Sequence, residues 1–191
     1  ETLLNDSENF NTKLKFDLKN SKVDLPIFNY TKKKGDKSNF ELSFIKNKNF
    51  IKLSKINFLS NDNKMNVQYL LFDNKFSLKD LGNINIDIGT KNKLKIFKKN
   101  NIYNIVGSSL DLSKYLSQKK KKKSKDLKLK IDGKLKIDLK KIIIPGDFLI
   151  DYKNFVQIRK GEIIKLDSFA NFEDLSALSL IHISEPTRPL D

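Results

Sequence analysis

The stretch "LKLKIDGKLKIDL", residues 127–139, is the clearest structural signal in the chain. Its apolar residues all fall on odd positions, on both sides of Gly133, so they share one face of an extended chain. A two-residue turn at Asp132-Gly133 would mix the two faces. A three-residue loop, 132–134, keeps the faces apart, and so does one continuous or gently bent strand of about 43 Å. We favour the continuous strand, because glycine inside a strand often marks a bend.

The same period of two recurs along the chain and predicts an all-β, antiparallel fold. Alternating runs occur in "KLKFDLK" (13–19), "FIKLSKINF" (50–58), "MNVQYLLF" (65–72), "INIDI" (84–88) and "KLKIF" (93–97). The second run changes phase at Ser54-Lys55, as a β-bulge would require. In the third, the alternation places Met65, Val67, Tyr69 and Leu71 on one face.

Clusters of Asn, Asp, Gly and Lys separate these runs and are typical of hairpin turns. They occupy residues 32–39, 60–64, 89–93 and 98–101. Helical periodicity is confined to "SLDLSKYLSQ", 109–118, which predicts one short helix with Ser109 or Asp111 as its N-terminal cap.

The composition limits the classes of function. The 191-residue chain has a net charge of +15 and no cysteine, which excludes disulfides and thiolate chemistry. Such a charge is typical of nucleic-acid or membrane binding. Nearly all of it is lysine, however, and Asn, Ile and Phe are also abundant, as an A/T-rich genome would produce. Arg159 and Arg188 are the arginines, and arginine is the better reader of phosphates and bases.

The lysine run "QKKKKKSK", 118–125, has two interpretations. It is a candidate contact for a polyanion, through Lys119, Lys120, Lys121, Lys122 and Lys123, because clustered lysines concentrate positive potential. It is also what a solvated loop looks like in a lysine-biased protein. We favour the loop, because no aromatic residue lies among the lysines to stack on bases.

Catalytic and cofactor motifs are missing from the sequence. It has no glycine-rich phosphate loop, and "NDN" at 61–63 lacks the rest of a calcium loop. Ser108, Ser109 and Asp111 would need His182, the one histidine, as their base. We therefore predict no catalytic residue, no metal site, no cofactor and no enzymatic activity.

His182 lies in "LSLIHISEPTR", 178–188, which resembles the in-frame translation of a transposon-end adaptor from sequencing libraries. We accordingly interpret residues 178–191 as a non-native tail. Residues 1–177, which open on Glu1 rather than Met, are interpreted as a fragment of a larger β-groove domain. A genuine proline-containing linker is the alternative for the tail.

The segment "NKLKIFKKNNIYNIVGSSLDLSKYL", 92–116, resembles a pattern of the AsmA-like envelope proteins of Gram-negative bacteria, in particular the YhdP-type branch. An alternating strand, a turn and a second strand lead there to Gly-small-small-Leu-Asp and a short helix. Here these last features are Gly107 to Asp111 and the residues after it. Residues 134–172 resemble the family's next strands, and the similarity extends over roughly residues 40–175.

The resemblance implies an elongated, curled antiparallel sheet with an apolar groove. It also implies an inner-membrane anchor, outside this fragment, with the rest of the protein in the periplasm. The implied role is non-enzymatic phospholipid transport between inner and outer membrane, in outer-membrane biogenesis, with phospholipid and the membrane as partners. The candidate groove residues are Leu94, Ile96, Leu127, Leu129, Ile131, Leu135, Ile137 and Leu139.

Two other possibilities stay open at the level of sequence. A closed sandwich or barrel would bury the same alternating faces against each other. A basic, β-rich nucleic-acid-binding domain would use the lysines of 118–125 and bind in a salt-dependent way. We regard nucleic acid as the less favoured partner.

Overall fold

A computed structural model describes residues 2–5, 9–119, 133–159, 162–172 and 181–184. The first strands are β1 (Thr2–Asn5), β2 (Asn9–Asp17), β3 (Val23–Leu25), β4 (Tyr30–Lys32), β5 (Ser38–Lys46), β6 (Phe50–Ser60), β7 (Asn63–Val67) and β8 (Leu70–Asp73). They are followed by β9 (Leu78–Leu81), β10 (Ile84–Ile88), β11 (Asn92–Lys99), β12 (Ile102–Asp111), β13 (Gly133–Ile144), β14 (Asp147–Arg159), β15 (Glu162–Phe172) and β16 (Ile181–Ser184). A 3₁₀ turn (Pro26–Phe28) and the helix α1 (Ser113–Lys119) complete the described elements.

The strands form an all-β fold around one large, curled sheet. Its path runs β1-β2-β5-β6-β7-β10-β11-β12-β13-β14-β15-β16, and β8 and β9 branch from β6. Within the described residues the path does not return to β1, so the sheet is open. Strands β3 and β4 pair separately as a two-stranded sheet.

Pairing in the large sheet is antiparallel with one exception, β12 with β13, which run parallel. Parallel neighbours need a crossover of a dozen or more residues. Residues 112–132 provide that length between the two strands, and α1 lies in this connection. The antiparallel prediction therefore holds for the described pairs except at this crossover.

Hairpin turns lie where the sequence predicted them at three of the four clusters. Asn100 and Asn101 form a two-residue loop in which both have positive φ, the type I′ geometry that asparagine tolerates. Asn61, also at positive φ, starts the turn between β6 and β7. Residues 89–91 form a three-residue loop between β10 and β11. Residues 32–39, by contrast, do not join two partners of one hairpin, since β4 pairs with β3 and β5 pairs with β2.

The phase change predicted at Ser54-Lys55 is a β-bulge. Ser43 of β5 pairs with Lys55, whereas the next residue, Phe44, pairs with Leu53, which leaves Ser54 as the extra residue. At the same place the far-side partner of β6 changes from β7 to β8. The run 65–72 is consequently two strands rather than one, and the chain leaves regular pairing at Gln68 and Tyr69.

A crease crosses three neighbouring strands and helps the sheet to curl. Ser108 of β12 is skipped where its pairing with β11 shifts register. Lys140 of β13 and Asp151 of β14 are skipped at the same level of the sheet, and Asp151 has a φ of 49°. Aligned irregularities of this kind bend strands and increase their twist.

The helix and the central strand partly match the predictions. Helix α1 begins at Ser113, and its first turn is capped by Asp111, whose carboxylate accepts hydrogen bonds from the Ser113 backbone N–H (3.0 Å) and Oγ (2.5 Å). Ser109 lies in β12. A loop at 132–134 is wrong, because Gly133 and Lys134 already pair with β14. Residues 127–132 lie outside the described residues.

The hydrophobic core lies on one face of the sheet, which we call the inner face. Its buried centre consists of Ile86, Ile88, Leu94, Leu139 and Ile142. Leu25, Phe28 and Tyr30 from the excursion between β2 and β5 pack onto it, as does Leu112 before α1. The core is therefore a patch of sheet covered by a small local cap.

Gly107 is required by close strand packing, and this leads to a prediction. A Cβ atom at Gly107 would lie 2.3 Å from the Lys93 carbonyl oxygen and 2.7 Å from the Leu94 Cα. Gly107→Ala is therefore expected to lower the free energy of unfolding by about 1–3 kcal/mol. At Gly133 the nearest atom would be 3.6 Å away, so Gly133→Ala is the matched control and should not destabilise. Urea unfolding of both variants checks this, and equal stabilities would contradict it.

Candidate functional site

An apolar row crosses the inner face, and its members are consecutive cross-strand partners. They are Leu14, Leu42, Ile56, Val67, Ile84, Ile96, Ile105 and Ile137, from β2, β5, β6, β7, β10, β11, β12 and β13. At about 4.8 Å between strands, eight strands extend this row over about 34 Å. The apolar row therefore runs perpendicular to the strands, along the sheet.

The apolar row is only partly covered. Val67 is buried, at 5% exposure, but the other seven members are half-buried. The next row of cross-strand partners on the inner face lies beside the apolar row, and it is buried at Phe58, Ile86, Leu94 and Leu139. Burial thus increases from the apolar row toward the capped core, and the inner face has a closed side and an open side.

The closed side is formed by the cap, meaning residues 23–32 and α1. The Tyr30 ring packs edge-on against Phe58, with centroids 6.3 Å apart, and its hydroxyl lies 3.4 Å from Ser60 Oγ. Lys32 is fully buried, and its Nζ donates to the carbonyl oxygens of Leu18 (2.5 Å) and Ser21 (2.6 Å). A lysine that satisfies backbone carbonyls in this way holds the excursion in a compact shape.

A buried polar network fastens the cap to the sheet. Asn92 Nδ2 donates to the Phe28 carbonyl oxygen (2.7 Å), and Asn92 Oδ1 accepts from the Asp111 N–H (2.9 Å). The Asp111 carboxylate accepts from Asn29 Nδ2 at 3.2 Å, and Lys91 Nζ lies 4.0 Å from it. Burial raises the pKa of Asp111, but the hydrogen bonds from Ser113 and Asn29 and the charge of Lys91 outweigh it, so the pKa lies below its usual value.

A second polar cluster lies toward the open side. Lys98 and Tyr103 lie opposite each other and are the next inner-face pair of β11 and β12 after Ile96 and Ile105. Asp80 accepts hydrogen bonds from Lys98 Nζ (3.0 Å), Tyr103 (3.5 Å) and Tyr69 (3.0 Å). Burial raises the pKa of Asp80, yet the bonds from Lys98 and Tyr69 leave it lowered, and the bond to Asp80 raises the pKa of both Lys98 and Tyr69. The cluster joins the β8–β9 hairpin to β11 and β12.

The apolar row ends at β14, where the inner-face residue opposite Ile137 is Asn154. Asn154 Nδ2 donates to Tyr152 Oη (3.0 Å) and to Ser168 Oγ. Its Oδ1 is buried without a hydrogen-bond partner in the described structure. The apolar row is therefore continuous over eight strands and meets a polar residue at β14.

The predicted groove residues fall into three groups. Ile96 and Ile137 belong to the apolar row, and Leu135 is half-buried on the same face. Leu94 and Leu139 lie in the core beneath the cap, at 5% and 1% exposure. Leu127, Leu129 and Ile131 lie outside the described residues, as do Lys120 to Lys123 of the lysine run. Lys119 is the last residue of α1.

Sequence reasoning did not connect six members of the apolar row to the groove: Leu14, Leu42, Ile56, Val67, Ile84 and Ile105. Alternation had placed several of them on strands, but a row across a sheet depends on strand order and register. A tight turn fixes the register of the two strands that it joins, and the alternation then shows which apolar residues lie opposite each other. The two signals taken together would have predicted the row.

Among the described residues there is no group of three or more His, Cys, Asp or Glu side chains suited to a metal ion. No helix in the same residues is long and apolar enough to cross a bilayer. Strand β16 lies in the segment interpreted as an adaptor-derived tail, and it pairs along the edge of β15. Comparisons with protein-family models, with curated proteins and with solved structures gave no significant match.

Proposed function

We propose that this chain is a non-enzymatic segment of an AsmA-like envelope protein, and that its inner face carries phospholipid between inner and outer membrane. The observation that supports this most is the apolar row, which is continuous over eight strands and only half-buried for most of its length. Soluble proteins seldom leave a contiguous apolar strip uncovered unless it contacts a ligand, a partner or a membrane.

The dimensions suit an acyl chain. One leaflet of a bilayer has a hydrocarbon thickness of about 15 Å, half of the roughly 30 Å core. The apolar row is about twice that length, so an acyl chain has room to lie along it and to move from strand to strand. A methylene buried on all sides contributes about 0.8 kcal/mol. One covered on a single side contributes about half as much, which permits binding without trapping the lipid.

The resemblance to AsmA-like proteins also supports a location in the periplasm. The membrane anchor would then lie in a part of the protein outside this sequence. Such a role needs no catalytic residue, because movement along an apolar surface breaks no covalent bond.

Lipid extraction from the purified chain tests the proposal. We expect phospholipid to co-purify and to be detected by mass spectrometry of the organic extract, at a level above a mock purification from the same cells. Added phospholipid should also protect the chain against thermal unfolding, because a ligand that binds only the folded state stabilises it. Absence of both effects would rule out the conduit for this segment.

A further inference from the structure

The outer face of β13–β15 carries a group of large apolar side chains. Ile143, Phe148, Ile150, Phe155 and Phe169 all alternate with inner-face residues of their strands and are half-buried. None of the five belongs to the hydrophobic core of the described residues.

Lysines surround these apolar residues in the register of the sheet. Lys141 lies opposite Ile150, Lys136 opposite Phe155, and Lys153 opposite Phe169. Lys165 lies on the same face of β15, two residues from Asp167, the residue opposite Phe155. We call these four lysines and five apolar residues the outer patch.

The ammonium groups of two lysines lie close to aromatic rings of the outer patch. Lys141 Nζ is 3.4 Å from the centre of the Phe148 ring, and Lys165 Nζ is 5.8 Å from that of Phe155. Phe155 and Phe169, with Lys136 and Lys153, line a shallow depression of about 360 Å³. A lysine ammonium over an aromatic face is attracted by the ring, and lysines beside apolar side chains are favoured at membrane interfaces.

The charge of the outer patch is positive. Register places two carboxylates among its four lysines, Asp138 opposite Lys153 and Asp167 opposite Phe155. Asp167 lies 3.2 Å from Lys165 Nζ. A positive surface that also carries apolar side chains complements a layer with anionic groups at its surface and hydrocarbon directly beneath them.

We propose that the outer patch docks the protein on the surface of an anionic phospholipid bilayer. The lysines contact the headgroups and the apolar residues enter the interfacial layer. This face is opposite to the apolar row, so the docking does not depend on what the inner face carries. Single-stranded nucleic acid would also accept lysines and aromatic rings, but arginine is scarce here and Ile143 and Ile150 offer no stacking surface.

Flotation of the full chain with vesicles tests the docking. We expect it to bind vesicles of phosphatidylcholine with 30% phosphatidylglycerol and not vesicles of phosphatidylcholine alone, and to be released by high salt. Each lysine at such a surface changes binding about fivefold, so Lys141→Gln with Lys153→Gln should weaken it about 25-fold. Phe148→Ser, at the tip of the β13–β14 hairpin, should weaken it as well.

The matched control is Lys64→Gln with Lys95→Gln. These lysines are also exposed on the outer face, on β7 and β11, and the change in net charge is the same. We expect less than about a twofold effect. Equal loss in both double variants, or equal binding to neutral vesicles, would overturn the proposal. The proposal would also be overturned if the protein did not float with vesicles but bound a fluorescent single-stranded oligonucleotide, and if that binding depended on the same lysines. Unchanged lipid content in the Lys141/Lys153 variant keeps this test separate from that of the inner face.

Discussion

Replacing Ile105 with aspartate is expected to remove bound phospholipid from the chain. Ile105 lies in the middle of the apolar row, between Ile96 and Ile137, and is half-buried. A carboxylate in contact with hydrocarbon costs about 3 kcal/mol. Lipid recovered per mole of protein should therefore fall by at least about tenfold, as measured by mass spectrometry of the organic extract.

Val106→Asp is the control for this change. Val106 is the next residue of β12, points to the outer face and lies opposite Lys95. Its variant introduces the same charge on the same strand, and we expect it to keep its lipid. Thermal unfolding of both variants shows whether Ile105→Asp is folded. A folded Ile105→Asp variant with unchanged lipid content would place the lipid elsewhere.

The local structure of this chain was largely accessible from its sequence, because local rules determine it. Alternation located strands such as β2, β10 and β11, and the phase change at Ser54 marked a bulge. The asparagines at 100 and 101 indicated a tight turn, since this residue type tolerates positive φ. Each of these features depends on neighbouring residues only, and the structure has each of them.

The cap was not accessible in the same way. Within this region the sequence marked only residues 32–39, as a turn, because Lys, Asn, Asp and Gly predominate there. The structure buries Lys32 against backbone carbonyl groups that lie 11–14 residues away in the sequence. Asn92 and Asp111, which resemble ordinary turn and cap residues, are buried because they satisfy each other and the cap. Hydrogen bonds between residues that are far apart in the sequence produce no periodic pattern from which they could be predicted.

The division of the groove residues has the same origin. Leu94 and Ile96 are equivalent in the sequence pattern, two residues apart on one face of β11. The cap covers Leu94 and leaves Ile96 half-exposed. Which of the two is available to a ligand is decided by the excursion between β2 and β5, and not by the strand that carries them.

Replacing Asp111 with alanine is expected to weaken the attachment of the cap to the sheet and to destabilise the fold. The carboxylate is 1% exposed and accepts hydrogen bonds from Ser113 and Asn29. Its removal takes away the cap of α1 and the hydrogen bond from Asn29 and empties a buried position, so the free energy of unfolding should fall by about 2–4 kcal/mol. Urea unfolding at pH 7 measures this. Asp87→Ala, which removes a half-exposed carboxylate 3.3 Å from Lys93, should cost less than about 1 kcal/mol.

The same carboxylate makes stability depend on pH. The pKa of Asp111 is lowered in the folded state, so its contribution is fully present above the unfolded value, about 3.9. It is lost as the pH falls through the lower folded value, because the folded state then takes up the proton that the unfolded state already holds. Asp111→Asn cannot titrate. Its stability should therefore change less than that of the natural sequence between pH 5 and pH 2. Parallel curves for the two proteins over this range would show that Asp111 does not hold the cap as a carboxylate.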